Sequence, residues 1–212
     1  PPGVAGMSPN LALSYADGGI NGPVGVGWSL QGVSTITRCP SSKVIDGPPA
    51  RTPTDPINRT TVRFDGADRL CLDGQRLIAT DEAGKPLVND NVDAMGGLGD
   101  GLVREFRTEK DSFSRIRAYG MAEANNHNSG PAYFKVWTKS GQIYEYGNQS
   151  GSLAANARIL AQGTDVAGKR RVAVWAVNRI SDTLGNYMAF KYEVRSNVAW
   201  GSGPTTAGSE GQ

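Results

Sequence analysis

Residues 69–80 read Arg-Leu-Cys-Leu-Asp-Gly-Gln-Arg-Leu-Ile-Ala-Thr, and this stretch indicates the class of fold. Apolar residues flank Asp73-Gly74 on both sides. Asp-Gly between two such runs is a strong signal for a two-residue type I′ hairpin turn, because both central residues need a positive φ. The stretch therefore predicts an antiparallel hairpin with strands at 69–72 and 75–80.

Other short strands with turn residues between them extend from this hairpin in both directions. Glycine accounts for 28 of the 212 residues, nearly double the usual share of about 7%, and it shows no collagen-like period. Strands are predicted from alternation and β-branched content at 11–15, 33–38, 61–64, 102–107, 113–119, 133–138, 142–146, 172–181 and 187–194. We predict an all-β fold of antiparallel meanders and hairpins that form a curved sheet or shell-like domain.

At most one short helix is expected, at 153–162, where Ser152 could cap its start and Gly163 could end it. One β-rich domain is predicted over residues 1–195. Residues 196–212 are rich in glycine, serine and threonine and are predicted to be a linker or a disordered tail. Because the chain begins with Pro-Pro-Gly and not with Met, we interpret it as a fragment of a longer protein.

Charge and apolar runs exclude several classes of function. A net charge of +2 gives no electrostatic footprint for nucleic acid or for an anionic membrane surface. No run of about 18 apolar residues is present, so no membrane span is predicted. We expect neither nucleic acid nor a membrane-spanning segment among the partners of this chain.

Candidate catalytic groups are few. The single histidine, His127, lies in a polar loop, whereas a hydrolytic triad needs a base within reach of a nucleophile and an orienting acid. Most acids occupy predicted turns, where aspartate bonds nearby backbone amides; they are Asp17, Asp65, Asp68, Asp73, Asp81 and Asp182. We therefore expect no catalytic site, no cofactor and no metal, although a calcium ion near Asp90–Asp100 stays open because carboxylates cluster there without the EF-hand spacing.

A second informative stretch is residues 19–30, Gly-Ile-Asn-Gly-Pro-Val-Gly-Val-Gly-Trp-Ser-Leu. A phosphate-binding loop would need Lys-Ser/Thr after its last glycine, or a helix after it, and neither follows here. A structural role fits better, because Gly25 and Gly27 offer backbone without side chains on which Trp28 can lie. Trp28 is predicted to be an anchor of the hydrophobic core.

The two cysteines, Cys39 and Cys71, leave two alternatives open. They are either two unrelated buried thiols or one disulfide, which is the favoured interpretation because each lies in or at the end of a predicted strand. The bond would close a loop of about 33 residues and contribute about 3–4 kcal/mol in the chain-entropy model. It would also imply an oxidising compartment.

Several blocks of the sequence resemble a known family. Residues 6–15, Gly-Met-Ser-Pro-Asn-Leu-Ala-Leu-Ser-Tyr, are followed by 21–30, Asn-Gly-Pro-Val-Gly-Val-Gly-Trp-Ser-Leu, and by 34–38, Ser-Thr-Ile-Thr-Arg. Together they resemble the N-terminal domain of the SpvB family, the Salmonella virulence plasmid B proteins. The same module opens the B components of Tc toxins and many proteins with RHS (YD) repeats. Later blocks of the resemblance are 69–77, 113–116 and 175–187, so that it spans roughly residues 1–195.

A weaker likeness to a single YD repeat is present at residues 141–151, Gly-Gln-Ile-Tyr-Glu-Tyr-Gly-Asn-Gln-Ser-Gly. It has the Tyr-x-Tyr and the trailing glycine of such a repeat. Gly147 stands where the repeat usually has Asp, so one copy does not establish a true repeat.

The family resemblance implies a scaffold and not an enzyme. In Tc and RHS proteins such chains wind into a hollow shell that encloses a C-terminal toxic segment. In SpvB the toxic activity is an ADP-ribosyltransferase in a separate C-terminal domain, and nothing in residues 1–212 resembles it. The expected partners are therefore the remainder of the chain's own polypeptide and other toxin-complex subunits, and the expected location is secreted or at the cell surface.

Two other functions are compatible with the sequence. The first is a surface binding module, such as an adhesin or a carbohydrate-binding domain, in which Tyr133, Trp137, Tyr144 and Tyr146 could supply a stacking surface. Aromatic residues in adjacent strands are, however, more often cross-strand packing pairs. The second is an enzyme, which the single histidine disfavours.

Overall fold

The computed structural model describes residues 8, 11–16, 21–22, 25–40, 62, 64, 68–81, 83–86, 103–123, 129–147, 157–161 and 171–192. These ranges contain fourteen β-strands and no α-helix. The strands are β1 (Ala12–Tyr15), β2 (Asn21–Gly22), β3 (Gly25–Val26), β4 (Trp28–Gln31), β5 (Thr35–Cys39), β6 (Arg69–Leu72), β7 (Gln75–Thr80), β8 (Val103–Thr108), β9 (Arg115–Met121), β10 (Pro131–Trp137), β11 (Ile143–Gly147), β12 (Arg158–Leu160), β13 (Val172–Ser181) and β14 (Tyr187–Ala189).

Eight of these strands form a closed antiparallel sheet. Strands β5 to β11 pair in chain order, and β13 pairs with both β11 and β5, which completes the ring. Strands β12 and β14 extend from β13. The predicted all-β antiparallel fold is confirmed, and the sheet curves far enough to close on itself. Closure removes the unpaired edges that an open sheet of these strands would expose.

The inner face of the closed sheet is packed with side chains. Trp175 is fully buried, and its indole Nε1 donates a hydrogen bond of 2.8 Å to the carbonyl of Pro131. The ring of Phe134 meets that indole edge-on, at 5.3 Å between centroids and 82°. The other buried members of this core are Ile36, Leu70, Leu77, Ala79, Phe106, Ile116, Ala118, Val136, Tyr146, Val172, Val177 and Ile180. The interior is therefore a hydrophobic core and not the cavity lining that alternating strands could also have formed.

The predicted Asp-Gly hairpin is confirmed. Asp73 and Gly74 have φ values of 48° and 80°, and Leu72 pairs with Gln75 across the turn. The Asp73 carboxylate accepts hydrogen bonds from the Thr35 amide at 2.8 Å and from Ser34 Oγ at 2.6 Å. The turn thus holds the beginning of β5 as well as connecting β6 to β7.

The predicted helix at 153–162 is wrong over its described part. Residues Arg158–Leu160 form β12, which pairs antiparallel with β13. The Ala176 amide donates to the Ala157 carbonyl at 2.8 Å, and the Ala161 amide donates to the Arg171 carbonyl at 2.8 Å. The N-terminal half of β13 pairs with β5 on one side and offers these residues inter-strand partners on the other, and that tertiary pairing outweighs a weak local helix preference.

Several strand predictions differ from the structure by one or two residues at their ends, and two differ more. The last strand, β14, stops at Ala189, whereas the sequence pattern predicted 187–194. Val62 and Phe64 lie in no strand, although 61–64 was predicted to be one. The predicted boundary at residue 195 and the tail at 196–212 lie outside the described residues and stay predictions.

A β-bulge in β13 changes which side chains face inward. Tyr146 pairs with Val177, but the preceding Glu145 pairs with Arg179, so that Asn178 is an extra residue. Strict alternation along β13 would place Ile180 on the face of Val172, Val174 and Ala176. Because one extra residue shifts the alternation, Ile180 instead shares the inner face with Val177.

Candidate functional site

The N-terminal strands form a two-stranded ribbon outside the closed sheet. Strand β1 pairs with β4, which sets Leu13 opposite Leu30 and Tyr15 opposite Trp28. Residues directly opposite each other share one face, and Leu11 follows the same alternation. All five side chains of this apolar face are exposed, with Leu13 at 60%.

The other face of the ribbon is polar. Ser14 and Gln31 are exposed there, and Gln31 Nε2 donates a hydrogen bond of 3.1 Å to Ser14 Oγ. The ribbon is therefore amphipathic, and its apolar face points away from its own polar side chains. An exposed cluster of this kind marks an interaction surface more often than it occurs by chance.

The prediction that Trp28 anchors the core is wrong. Its side chain is 43% exposed, and its ring packs on Tyr15 with 5.3 Å between centroids. The reason is the pairing of β4 with β1, which leaves Trp28 in a two-stranded ribbon that no second layer covers among the residues that the structure describes. Gly25 lies in β3 opposite Gly22, and its predicted role beneath Trp28 stays a prediction.

Gly27 has a structural role beside Tyr15. Its φ is +76°, and a Cβ built on its backbone would lie 2.7 Å from Tyr15 Cε2 and 2.8 Å from the Ala16 carbonyl oxygen. The Ala16 amide donates to the Gly27 carbonyl at 2.9 Å. A residue with a side chain would therefore push the ribbon strands apart at this point.

The tryptophan that the core is built around is Trp175. Two glycines with positive φ lie against its ring: a Cβ on Gly130 would come 2.7 Å from Cζ2, and one on Gly147 would come 2.8 Å from Cδ1. The sequence showed Trp175 only as part of a strand covered on both faces. Residues 130 and 147 are distant in sequence from Trp175, so no local sequence pattern predicts that these glycines pack on its ring.

A buried ion pair lies beside that ring. The side chains of Arg38 and Asp68 are 1% and 3% exposed, with 3.5 Å between Nη1 and Oδ2. Arg38 Nε donates to the Val172 carbonyl at 2.7 Å, and its guanidinium carbon lies 6.0 Å from the centroid of Trp175. A buried charge is tolerated when it is paired and hydrogen-bonded, so this pair has a structural role that the sequence, which placed Asp68 in a turn, did not reveal.

On the outer face, charges are paired across strands. Glu105 accepts from Arg115 at 3.3 Å and from Arg117 at 3.1 Å, and Lys135 lies 3.2 Å from Glu145. Burial alone would raise the pKa of Glu105, but the hydrogen bonds from the two arginines outweigh it and hold that pKa below its usual value. These three basic and two acidic side chains therefore alternate in sign across the strands and do not form a docking patch of one sign.

The aromatic residues considered for sugar stacking lie on two different faces. Tyr133 pairs with Gly147 and Phe134 with Tyr146, so Tyr133 and Trp137 point outward while Tyr144 and Tyr146 point inward. Tyr146 is only 2% exposed. The four residues therefore do not form the single exposed surface that a carbohydrate platform would need.

The structure joins Cys39 and Cys71 in a disulfide, with their Cα atoms 6.0 Å apart. The bond links β5 to β6, the neighbouring strand in the sheet, in which Cys71 pairs with Thr37. Both cysteines of the chain are thereby used.

Asp182 acts as a turn residue. Its carboxylate accepts from the Asn186 side chain at 2.8 Å and from the amides of Leu184 and Asn186 at 2.9 Å. These bonds, led by that of the Asn186 side chain, lower the pKa of Asp182. The other candidate groups, His127, Asp17, Asp65 and Asp90–Asp100, lie outside the described residues.

Neither a metal centre nor a membrane helix occurs in the part of the chain that the structure describes. No three His, Cys, Asp or Glu side chains in that part converge as metal ligands. That part also holds no helix with the length and hydropathy needed to cross a membrane.

The comparisons with known proteins concern the whole chain. The sequence model of the SpvB family, described as Salmonella virulence plasmid 65kDa B protein, matches residues 1–205. A search of curated protein sequences finds no match.

Three solved structures share the fold. The structure of TcdB2-TccC3-Cdc42 is 19% identical with a TM-score of 0.56, over 91% of this chain and 8% of that one. The N-terminal domain of effector protein SpvB from Salmonella typhimurium strain LT2 is 20% identical with a TM-score of 0.55, over 91% of this chain and 52% of that one. The Photorhabdus luminescens Tc holotoxin pore is 20% identical with a TM-score of 0.53, over 88% of this chain and 7% of that one.

The chain thus spans about half of the SpvB domain structure and less than a tenth of the Tc chains. At these identities the structural likeness concerns the fold, whereas the family match covers nearly the whole sequence. The chain belongs to the SpvB family.

Proposed function

We propose that this chain is a non-catalytic structural module of a bacterial toxin of the SpvB, Tc-B or RHS type. In this role it contributes to a β-strand shell that encloses a C-terminal toxic domain and helps to deliver it. Its partners are the rest of its own polypeptide, with its RHS or YD repeats, and other subunits of a toxin complex.

The observation that carries the proposal is the closed sheet with a filled core together with an exposed apolar ribbon. A module that binds a small ligand usually offers a concave, largely apolar pocket with a few polar groups. Here the inner face is occupied by Trp175, Phe134 and their neighbours. The free apolar surface lies outside the core, as a component that assembles with more protein requires.

The titratable groups of the core support a structural role. Burial raises the pKa of Tyr146 far above its ordinary value, and its hydroxyl bonds to Ser34 Oγ at 2.8 Å. A catalytic acid or base needs a pKa near the working pH. Tyr146 therefore stays protonated and fixes the start of β5 against β11.

The disulfide supports a location outside the reducing cytosol. Such bonds persist in secreted proteins and in the periplasm and are rare in the cytosol. A secreted or cell-surface toxin component fits this requirement, and Cys39–Cys71 is the observation on which the proposed location rests.

Limited proteolysis of the full-length parent protein tests the shell. The intact parent and a Trp175→Ala variant are digested side by side, and mass spectrometry follows the C-terminal segment. We expect that segment to resist cleavage in the intact parent and to be cut rapidly when the variant or a mild denaturant opens the sheet.

A matched variant separates opening of the shell from a general effect of mutation. Tyr187→Phe changes an exposed ring and should leave the protection unchanged. If the C-terminal segment of the intact parent is cut as quickly as that of the Trp175→Ala variant, the chain is not part of an enclosing wall.

A further inference from the structure

We propose that the apolar face of the β1–β4 ribbon docks against an apolar face of the β-sheet formed by the rest of the parent polypeptide. The inference rests on the proposed function and adds to it the surface by which the module is fixed into the wall. The docking side chains are Leu11, Leu13, Tyr15, Trp28 and Leu30.

The exposed apolar area is the first observation. Two cross-strand pairs, Leu13 with Leu30 and Tyr15 with Trp28, stand side by side on one face. Each of the four is 43–60% exposed. Removing the remaining apolar area of these side chains from water is favourable, so that an apolar cover would stabilise this face.

The second observation is that the ribbon has only two strands. In the described part of the sheet topology β1 and β4 pair with each other and with no strand of the closed sheet. An isolated two-stranded ribbon is marginally stable in water, and a third strand or a packed layer is needed to hold it. Among the described residues, none forms a layer over the apolar face, whose five side chains are exposed.

The chemistry of the face points to another apolar protein surface. Residues 11–16 and 28–31 contain no Lys, Arg, Asp or Glu. A nucleic acid or an anionic membrane surface would be recognised through cationic side chains. The cover is therefore an apolar sheet face.

The lengths of the related chains indicate which polypeptide packs on the apolar face. The same fold makes up 7–8% of the chain in the Tc structures and 52% in the SpvB domain structure. In each of them the module is solved as part of a longer polypeptide. Chain that is covalently linked acts at a high effective concentration, which favours it over a separate protein as the occupant.

The base of the ribbon is tied to the closed sheet. Ser34, three residues after β4, bonds through Oγ to Asp73 at 2.6 Å and to Tyr146 at 2.8 Å, and its carbonyl accepts from the Val177 amide at 3.1 Å. The ribbon therefore leaves the closed sheet at a fixed point. This fixes the direction in which its apolar face can contact the rest of the parent polypeptide.

Cysteine labelling tests the docking directly. Because both cysteines of the 212-residue chain form the disulfide, a single introduced cysteine is its one reactive thiol; in the parent, mass spectrometry of the peptide that contains the introduced cysteine follows the labelling of that site alone. Leu13→Cys reports the apolar face, and Ser14→Cys, its neighbour on the polar face, is the matched control. Both side chains are exposed in this chain.

The labelling rates are compared between the 212-residue chain and the full-length parent. In the 212-residue chain we expect the two cysteines to react at similar rates. In the parent we expect Leu13→Cys to react at least about tenfold more slowly than Ser14→Cys, since protected sites react only through local opening. Leu30→Cys with Gln31→Cys as its control repeats the test from β4.

Two results overturn the proposal. Equal rates at Leu13→Cys and Ser14→Cys in the parent mean that the face stays uncovered. Slow labelling of Leu13→Cys in the 212-residue chain, relieved on dilution, means that a second copy covers the face. Either result can coexist with a protected C-terminal segment, so the docking can fail while the proposed shell function stands.

Discussion

Gly147 lies directly against the indole of Trp175: a Cβ on its backbone would come 2.8 Å from Trp175 Cδ1 and 3.0 Å from the Ala132 carbonyl oxygen. Its φ of +78° is also one that L side chains rarely adopt. This explains why the chain has a glycine at residue 147. At this point of the chain the core tryptophan occupies the space that any side chain would need.

We predict that Gly147→Ala lowers the free energy of unfolding by about 2–5 kcal/mol, because strain at positive φ and overpacking against Trp175 add. Urea unfolding followed by circular dichroism measures the loss. The expected sign is set by the backbone, since the carbonyl of Ala132 cannot rotate away as a flexible side chain could.

Gly74→Ala is the control for the backbone part of that loss. Gly74 has a φ of +80°, and a Cβ on its backbone would have no neighbouring atom within 4 Å. Only the strain of about 1–2 kcal/mol should therefore remain. Equal losses in the two variants would show that the contact with Trp175 contributes nothing.

The two tryptophans should differ sharply in their effect on stability. Trp175→Ala removes a fully buried ring and is expected to lower the free energy of unfolding by about 3–5 kcal/mol. Trp28→Ala removes a ring that is 43% exposed and packs on Tyr15, with an expected loss of about 0.5–1.5 kcal/mol. Urea unfolding of both variants measures the difference, and a larger loss for Trp28→Ala would mean that Trp28 anchors the core after all.

Local features of the sequence predicted most of the strands. The strands 69–72, 75–80 and 172–181 and the Asp73-Gly74 turn were predicted with the ends that the structure has, because turn residues and β-branched runs act over a few residues. The closure of the sheet could not be predicted in this way. It depends on β13 meeting both β5 and β11, and neither pairing leaves a local pattern in the sequence.

The candidate site was predicted less well, for the same physical reason. The glycines near Trp28 suggested a buried ring, but a ring is buried by the layer above it and not by its neighbours in the chain. Within the described ranges strand β4 pairs only with β1, and no pattern in residues 19–30 predicts that pairing. The buried partners Arg38 and Asp68 were missed because residues that meet only in the fold leave no local pattern.

The pair of Arg38 and Asp68 gives a test of the buried charge. Asp68→Asn keeps the shape but removes the buried negative charge 3.5 Å from Arg38 Nη1, and we expect a loss of about 3–5 kcal/mol in the free energy of unfolding. The double variant Arg38→Met with Asp68→Leu should regain most of it, because apolar residues of similar volume replace buried ion pairs at little cost. Urea unfolding curves of the two variants give their free energies of unfolding. A double variant that is no more stable than Asp68→Asn would contradict the argument.

Reduction of the disulfide should weaken the protein. The Cys39→Ser, Cys71→Ser double variant is expected to lose about 3–4 kcal/mol of unfolding free energy through the greater freedom of its unfolded chain. The wild-type chain should show no reactive thiol to Ellman's reagent until it is unfolded with a reductant. Two thiols titrated without reductant would remove both this prediction and the argument for an oxidising compartment.

The raised pKa of Tyr192 leads us to predict how the free energy of unfolding changes at alkaline pH. Its hydroxyl donates to the Val177 carbonyl at 2.7 Å, and burial raises its pKa to about 12, against about 10 for a tyrosine in an unfolded chain. The unfolded state therefore loses its proton first as the pH rises. The stabilisation is complete below about pH 10 and is lost between about pH 10 and pH 12.

The variant Tyr192→Phe should accordingly show a smaller loss of stability in alkali than the wild-type chain, although it starts about 1 kcal/mol lower at neutral pH because one hydrogen bond is gone. Urea midpoints measured across this pH range, with tyrosinate absorbance in parallel, give the comparison. Tyr187→Phe, at a ring that is 62% exposed, should follow the wild-type curve. If Tyr192→Phe loses stability in parallel with the wild type, ionisation of Tyr192 does not drive alkaline unfolding, and Tyr146, whose pKa burial also raises, becomes the group to replace.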